Sequence, residues 1–217
     1  MAVTEDHAAL MDDVYRWQRH VYDATRKYYL LGRDRMVDRL ETGPGTNVLE
    51  LGCGTGRNIM FAARRYPQAR FFGPDISAQM LATAEASFAR AGLAGKERLA
   101  QADATDFGPR PLFGRDRFDR VYISYSLSMI PDWQACIRQA LGVLAPRGSL
   151  HVVDFGSQER LPRWFKAALR AWLAKFHVAP RDDLRQVLES ISRETGTSLE
   201  FESLFRGYAV HAILRTT

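Results

Sequence analysis

The chain has 217 residues, of which 46% are hydrophobic and 25% charged, and its formal net charge is +5. These values exclude a fibre or a disordered chain, and no apolar run approaches the ~20 residues of a spanning helix. Two cysteines without a CxxC motif argue against a disulfide framework or a structural zinc site. We therefore expect a cytoplasmic protein without a secretory leader, soluble or peripheral at the inner membrane face. Its positive charge indicates nucleic acid, a phosphorylated substrate or acidic lipid as partner.

The N-terminal part of the chain, residues 1–42, is predicted to form a helical extension. From residue 47 onward, short apolar runs alternate with helical segments, which is the pattern of a parallel α/β sheet. Ser77 and Asp132 are predicted to cap two of the helices. The predicted strands of this core, residues 43–155, cover residues 48–51, 70–73, 98–100, 119–124 and 150–155.

The C-terminal part of the chain adds two features to this core. Residues 156–197 are predicted to be a helical insertion. Two further strands, within residues 198–217, are separated only by Arg206 and Gly207 and must therefore be antiparallel. The sequence thus predicts one α/β domain with a mostly parallel sheet, a C-terminal hairpin and two helical additions.

The first strand leads into a loop with three glycines, Gly52, Gly54 and Gly56. A glycine-rich turn between a strand and a helix brings backbone N–H groups close to a ligand, although it can also be a simple tight turn. The dinucleotide fingerprint requires a glycine where this chain has Arg57. Glu50, just before the loop, would repel a pyrophosphate but favour a cationic ligand.

Two further acidic residues follow the next two strands. Asp75 is placed to accept hydrogen bonds from ribose hydroxyls, and Asp103 to accept one from an adenine amino group. Either residue alone could be a loop cap or a solvated charge. Their order after the glycine loop indicates an adenosine ligand with a cationic tail and no phosphate, which is S-adenosylmethionine (SAM).

The stretches ELGCGTG, GPDIS and QADATDF resemble the class I SAM-dependent methyltransferases. This resemblance implies a Rossmann-like domain with a seven-stranded sheet in the order 3-2-1-4-5-7-6, strand 7 antiparallel. It also implies SAM as cofactor, S-adenosylhomocysteine (SAH) as product and no metal. The cofactor-binding residues that we assign are Tyr29, Arg33, Glu50, Gly52, Gly54, Gly56, Asp75, Ile76, Met80, Asp103, Ala104 and Ser124.

Three further stretches are similar to the betaine-lipid N-methyltransferases: YRWQRHVYDATRKYYLLGRDR (15–35), SYSLSMIPDW (124–133) and HVVDFG (151–156). This narrower resemblance implies three successive methylations of the head-group amine of diacylglyceryl-homoserine. Phosphatidylethanolamine and a soluble amine remain open as acceptors. An RNA-binding methyltransferase is also open, but no nucleic-acid module is present, so we expect no nucleic-acid partner.

Tyrosines of the N-terminal extension are predicted to form a lid over the site. Tyr22 and Tyr28, with Tyr29, could stabilise the sulfonium and the methylated ammonium by cation–π attraction, or could simply pack on the sheet. Tyr125, after the fourth strand, could orient the acceptor amine or serve as a core aromatic. Tyr22, Tyr28 and Tyr125 are therefore the candidate catalytic residues.

A helix within residues 158–176 combines aromatic and basic side chains. Helical spacing predicts one broad apolar face opposite Arg163, Lys166 and Arg170, with Lys175 on the apolar side. Such a helix could lie on an anionic membrane surface or form a roof over the active site. The predicted members of the apolar face are Leu161, Trp164, Phe165, Leu169, Trp172, Leu173 and Phe176. The oligomeric state stays open.

Overall fold

A computed structural model describes residues 29–93, 95 and 97–217. Most of the predicted helical extension, with Tyr22 and Tyr28, lies outside these residues. The strands of the described part are β1 Asn47–Leu51, β2 Arg70–Asp75, β3 Glu97–Gln101, β4 Phe118–Ser124, β5 Leu144–Phe155, β6 Ser198–Leu204 and β7 Ala209–Arg215. The helices of the same part are α1 Arg33–Asp38, α2 Arg57–Arg65, α3 Ala78–Arg90, α4 Pro109–Phe113, α5 Trp133–Gly142, α6 Arg163–Ala174 and α7 Leu184–Thr195.

The seven strands form one sheet in the order β3-β2-β1-β4-β5-β7-β6. Strands β1 to β5 pair in parallel, and β7 pairs antiparallel with both β5 and β6. Helices cover both faces, so β1 is buried at every residue except the first. This single Rossmann-like domain and its strand order confirm the fold predicted from the sequence.

Two of the predicted helix starts are also confirmed. The Ser77 hydroxyl accepts a hydrogen bond from Met80 N at 3.3 Å, which caps α3. The Asp132 carboxylate accepts one from Ala135 N at 3.2 Å, which caps α5. Each cap satisfies a backbone donor that the helix itself cannot pair.

Strand β5 begins earlier than its predicted start at residue 150. Leu144 pairs with Phe118, the register then shifts, and the pairing resumes where Ser149 meets Arg120. The irregularity coincides with Arg147, whose φ of 58° lies in the left-handed region. The irregularity is therefore a bulge within the strand.

Most of the predicted apolar face of α6 packs against the core. Leu173 is buried, and the centroids of the Trp172 and Tyr29 rings are 4.7 Å apart in an edge-on contact. The other members that pack on the core are Leu161, Leu169, Trp172 and Phe176. The prediction fails only for Trp164, which is 73% exposed, and Phe165, which is 36% exposed. No helix of the described residues is long and apolar enough to cross a membrane.

Candidate cofactor and acceptor site

A cavity of about 460 Å³ opens at the carboxyl ends of the parallel strands, where the strand order reverses between β1 and β4. A ligand site is expected at such a switch point, because the connections on either side diverge and leave a crevice. Most of the predicted site residues line this cavity: Arg33, Glu50, Gly52, Gly54, Asp75, Ile76, Asp103, Ala104, Ser124 and Tyr125.

Three predicted cofactor contacts do not lie on the cavity wall. Gly56 precedes α2 with a φ of 71°, and a Cβ at this position would lie 2.7 Å from the ring of Phe88, so the glycine serves close packing. Met80 is buried at the start of α3. Tyr29 packs against Trp172. Gly56, Met80 and Tyr29 therefore lie outside the cavity lining, and their contact with the cofactor stays a prediction.

Three N–H groups of the glycine loop already have hydrogen-bond partners within the protein. Gly52 N and Cys53 N donate to the Pro74 carbonyl at 3.1 and 3.2 Å, and Gly54 N donates to a carboxylate oxygen of Asp75 at 2.7 Å. These donors tie the loop to the end of β2. They are therefore not available for a phosphate group, which agrees with the missing dinucleotide fingerprint.

The two predicted ribose and adenine acceptors are held by neighbouring donors. The second oxygen of Asp75 accepts from Ser77 N at 3.0 Å. One oxygen of Asp103 accepts from Thr105 N at 2.8 Å and from the Thr105 hydroxyl at 2.7 Å. Both residues line the cavity. Their orientation is thus set before a ligand arrives.

Glu50 is a buried carboxyl at the base of the cavity. It accepts hydrogen bonds from Asn58 Nδ2 at 2.7 Å and from the Tyr122 hydroxyl at 3.0 Å. Burial raises the pKa of Glu50 to about 8, although these two donors and the nearby Arg33 act in the opposite direction. A cation placed beside Glu50 would favour the ionised form.

Asn58 and Tyr122 were not identified from the sequence. Tyr122 lies directly beside Glu50 in the register between β1 and β4, and Asn58 lies in the first turn of α2. The sequence shows a polar residue in that first turn, which is a weak signal. The neighbour across the sheet has no sequence signal, because the register is a tertiary property.

Five apolar side chains that we did not assign to the site also line the cavity. They are Leu30, Met60, Met129, Ile130 and Pro131. The last three follow β4, across the strand-order reversal from Asp75 and Asp103, and we call this part of the cavity the acceptor end. Tyr125 lines the same part, and its hydroxyl donates to the Leu31 carbonyl at 2.6 Å. Burial raises the pKa of Tyr125 well above its ordinary value, so its hydroxyl is not a base at neutral pH.

The segment after β4, which carries three of these apolar residues, is positioned by the helical insertion. Arg181 donates to the carbonyls of Leu127 and Ile130 at 3.0 and 2.7 Å, and Ala179 N donates to the Ser128 carbonyl at 2.8 Å. From the opposite side, the Asp154 carboxylate accepts from Ser128 N at 3.1 Å. The insertion therefore shapes the acceptor end of the cavity.

Comparison with known proteins agrees with the fold and the glycine loop. Residues 48–148 match a family model described as a methyltransferase domain. A solved plantazolicin methyltransferase, bound to a triazolic desmethyl analogue and SAH, shares the fold with a TM-score of 0.68. It is 14% identical, and the match covers 99% of this chain and 98% of that one.

Two curated methyltransferases are similar to part of this chain. The demethylmenaquinone methyltransferase of Mycobacterium bovis is 34% identical over 157 residues, which cover 70% of this chain and 59% of the relative. The nocamycin O-methyltransferase of Saccharothrix syringae is 29% identical over 162 residues, covering 74% of this chain and 56% of the relative. The chain thus matches little more than half the length of these relatives.

Proposed function

We propose that the protein transfers a methyl group from SAM to the amine nitrogen of a lipid head group of the diacylglyceryl-homoserine type. The observation that carries this proposal is that Asp75 and Asp103 line the cavity after β2 and β3, whereas Met129, Ile130 and Pro131 line it after β4, across the reversal of the strand order. Asp75, Asp103 and Glu50 suit the ribose, the adenine and the cationic tail of SAM. The apolar residues after β4 suit an acceptor with a non-polar portion beside its reactive nitrogen.

The reaction is an in-line displacement at the SAM methyl carbon. The nitrogen lone pair forms the new bond to carbon, the carbon–sulfur bond breaks, and its electron pair stays on sulfur, which leaves neutral SAH. The methylated nitrogen then carries a positive charge, and after the first and second transfers it releases a proton to solvent. The task of the protein is alignment of the three reacting atoms and exclusion of water, so no residue needs to act as a nucleophile.

The residues on the cavity wall favour an acceptor whose reacting atom has already lost its proton in solution. No histidine or lysine of the described residues lines the cavity. A hydroxyl acceptor needs a base at the reacting oxygen, whereas an amine that has lost its proton in solution does not. Tyr22 and Tyr28 remain predicted lid residues that would face the cationic product.

A second candidate is an acceptor with an apolar ring system that reacts at another atom. The apolar wall formed by Met60, Met129 and Ile130 favours it as well. The relatives are named for demethylmenaquinone and nocamycin, and not for a lipid amine. Phosphatidylethanolamine and small soluble amines are further acceptors of the first type.

Incubation with methyl-labelled SAM and a total lipid extract tests both candidates. We expect label in amine-containing lipids, with masses that rise by one, two and three methyl groups. Label in quinones or in hydroxyl groups would support the second candidate, and label confined to RNA or to soluble amines would overturn the lipid assignment. The Asp75→Asn variant is the control for label that does not depend on the SAM site.

A further inference from the structure

The outward face of α6 is apolar, although it is exposed to solvent. Trp164, Ala167, Ala168 and Ala171 follow the spacing of one helical face, and all four are exposed. Phe165, beside them, is 36% exposed, and its ring meets that of Trp164 at 5.8 Å. A surface helix normally presents polar residues on this side.

The opposite side of the same helix is already occupied by the protein. Leu173 is buried, and the Trp172 ring packs against the rings of Tyr29 and Phe176. The inner side of α6 therefore has its own apolar contacts and does not need Trp164 to supply them. A helix that is apolar on both sides is expected to be covered on both, which indicates that the outward face has a partner.

The charges that border the outward face identify the kind of partner. Arg160 precedes α6 and Arg163 is its first residue, and within the described part of the chain neither forms an ion pair with a carboxylate. Lys166 lies near Asp182, whose pKa is lowered first by the hydrogen bond from Arg170 and also by the Lys166 charge. Arg170, one turn further, is paired with Asp182. Tryptophan and phenylalanine next to unpaired cations match the layered chemistry of a membrane interface, in which anionic head groups lie above acyl chains.

We propose that the outward face of α6, formed by Trp164, Ala167, Ala168 and Ala171 with the adjacent Phe165 and bordered by Arg160 and Arg163, binds an anionic lipid surface. The aromatic side chains would enter the head-group layer while the cations contact lipid phosphates. This surface lies on the insertion that also positions the acceptor segment through Arg181. The inference does not depend on which acceptor is methylated.

Sedimentation with vesicles tests the inference without SAM or an acceptor. We expect the protein to bind vesicles of phosphatidylcholine with phosphatidylglycerol, to bind pure phosphatidylcholine weakly, and to be released by salt because the cations are exposed. Trp164→Ala should lower the partition coefficient about fivefold or more, and each of Arg160→Gln and Arg163→Gln about fivefold.

Matched variants elsewhere on the surface control for general effects. Phe61→Ala removes another exposed aromatic side chain, on α2, and Arg193→Gln removes an exposed cation, on α7. Both should leave vesicle binding unchanged. Brominated lipids should quench the fluorescence of the wild-type protein, and this quenching should decrease in a Trp164→Phe variant.

Three results would overturn the inference. They are no vesicle binding at low salt, binding that Trp164→Ala does not change, and self-association in solution that the same variant abolishes. The last result would assign the face to a second copy of the chain. Because SAM affinity is measured separately by calorimetry, failure of the proposed methyl transfer would be recognised independently of vesicle binding.

Discussion

The two ends of the cavity are built in different ways. At the cofactor end, Asp75 and Asp103 are held by backbone N–H groups, and the glycine loop is tied to the Pro74 carbonyl. At the acceptor end, the wall consists of apolar side chains on the segment that Arg181 and Asp154 hold from behind. The first end is therefore preorganised by backbone hydrogen bonds, and the second is shaped by side chains and by tertiary contacts.

The contrast between the two ends predicts which substitutions affect SAM binding and which affect the selectivity for the acceptor. A substitution at the cofactor end alters the loop and the ligand contacts together, because the same atoms serve both. A substitution at the acceptor end changes only the volume and the polarity of the wall. Loss of SAM binding and loss of acceptor selectivity should thus be separable by position.

The largest effect is expected for Asp75→Asn. The amide provides one neutral acceptor in place of two charged ones, so it weakens the contact to Gly54 N and those expected to the ribose hydroxyls. Charge-assisted bonds of about 1.5–3 kcal/mol each predict that SAM affinity falls on the order of a hundredfold or more. Calorimetry measures the SAM affinity of the variant. Asp116→Asn, at an exposed residue paired with Arg110, is the control and should bind SAM normally.

A smaller effect is expected for Gly52→Ala. Its φ is 67°, and the new Cβ would lie 2.8 Å from Ser126 Oγ. Gly92 has the same φ of 67° but open space around it, so Gly92→Ala measures the backbone strain alone, about 1–2 kcal/mol of unfolding free energy. The additional clash should lower SAM affinity about thirtyfold in Gly52→Ala only.

A second substitution separates the clash from the strain. Ser126→Ala removes the hydroxyl that the new methyl group would contact, and in the Gly52→Ala background it should restore part of the SAM affinity. Equal loss of affinity in Gly52→Ala and Gly92→Ala would show that strain, and not the contact with Ser126, is responsible. Denaturant unfolding gives the stability of each variant, and calorimetry gives its affinity.

The buried Glu50 carboxyl predicts that SAM binding depends on pH. Its pKa in the free protein is raised to about 8, chiefly by burial, and the cationic ligand favours the ionised form. Affinity should therefore rise up to about tenfold per pH unit toward pH 8 and then level off. Glu50→Gln should remove the part of this pH dependence that Glu50 causes. Any pH dependence of the affinity that remains in the variant reports the titration of the SAM amino group.

The same residue predicts an opposite trend for the stability of the free protein. A carboxyl whose pKa is raised on folding from its ordinary value of 4.5 stabilises the folded state fully below that pH, and this contribution is lost as the pH rises through about 8. The free energy of unfolding of the wild type should thus fall relative to that of Glu50→Gln over this interval. Parallel curves for the two proteins would contradict the raised pKa.

The smallest effect is expected at the acceptor end. Ile130→Ala removes part of the apolar wall, and the loss of about 1 kcal/mol of apolar contact predicts a KM for the acceptor about fivefold higher. SAM affinity should stay within about twofold, because no cofactor contact changes. Leu199→Ala on β6, a comparable deletion away from the cavity, controls for stability. An equal loss of SAM affinity in Ile130→Ala would show that the two ends are coupled.

The alternation of strands and helices and the cofactor end of the cavity could be predicted from local signals in the amino-acid sequence, whereas the strand order was implied only by the resemblance to class I methyltransferases. Glycine spacing, acidic residues at strand ends, and alternation of strands with helices are local signals, and each follows from backbone geometry within a few residues. Gly52, Gly54, Asp75 and Asp103 could therefore be assigned to the cofactor site from local signals alone, and all four line the cavity. The caps at Ser77 and Asp132 were predictable for the same reason.

The remaining features depend on contacts between segments that are distant in the chain. Tyr122 became a partner of Glu50 through strand register, and Ile130 reached the cavity because Arg181, far along the chain, holds its carbonyl. Helical spacing grouped Trp164 with Trp172, but which side of α6 meets the sheet depends on long-range packing. Pairings between distant segments have no local sequence signal, because they form only when those segments pack together in the folded protein.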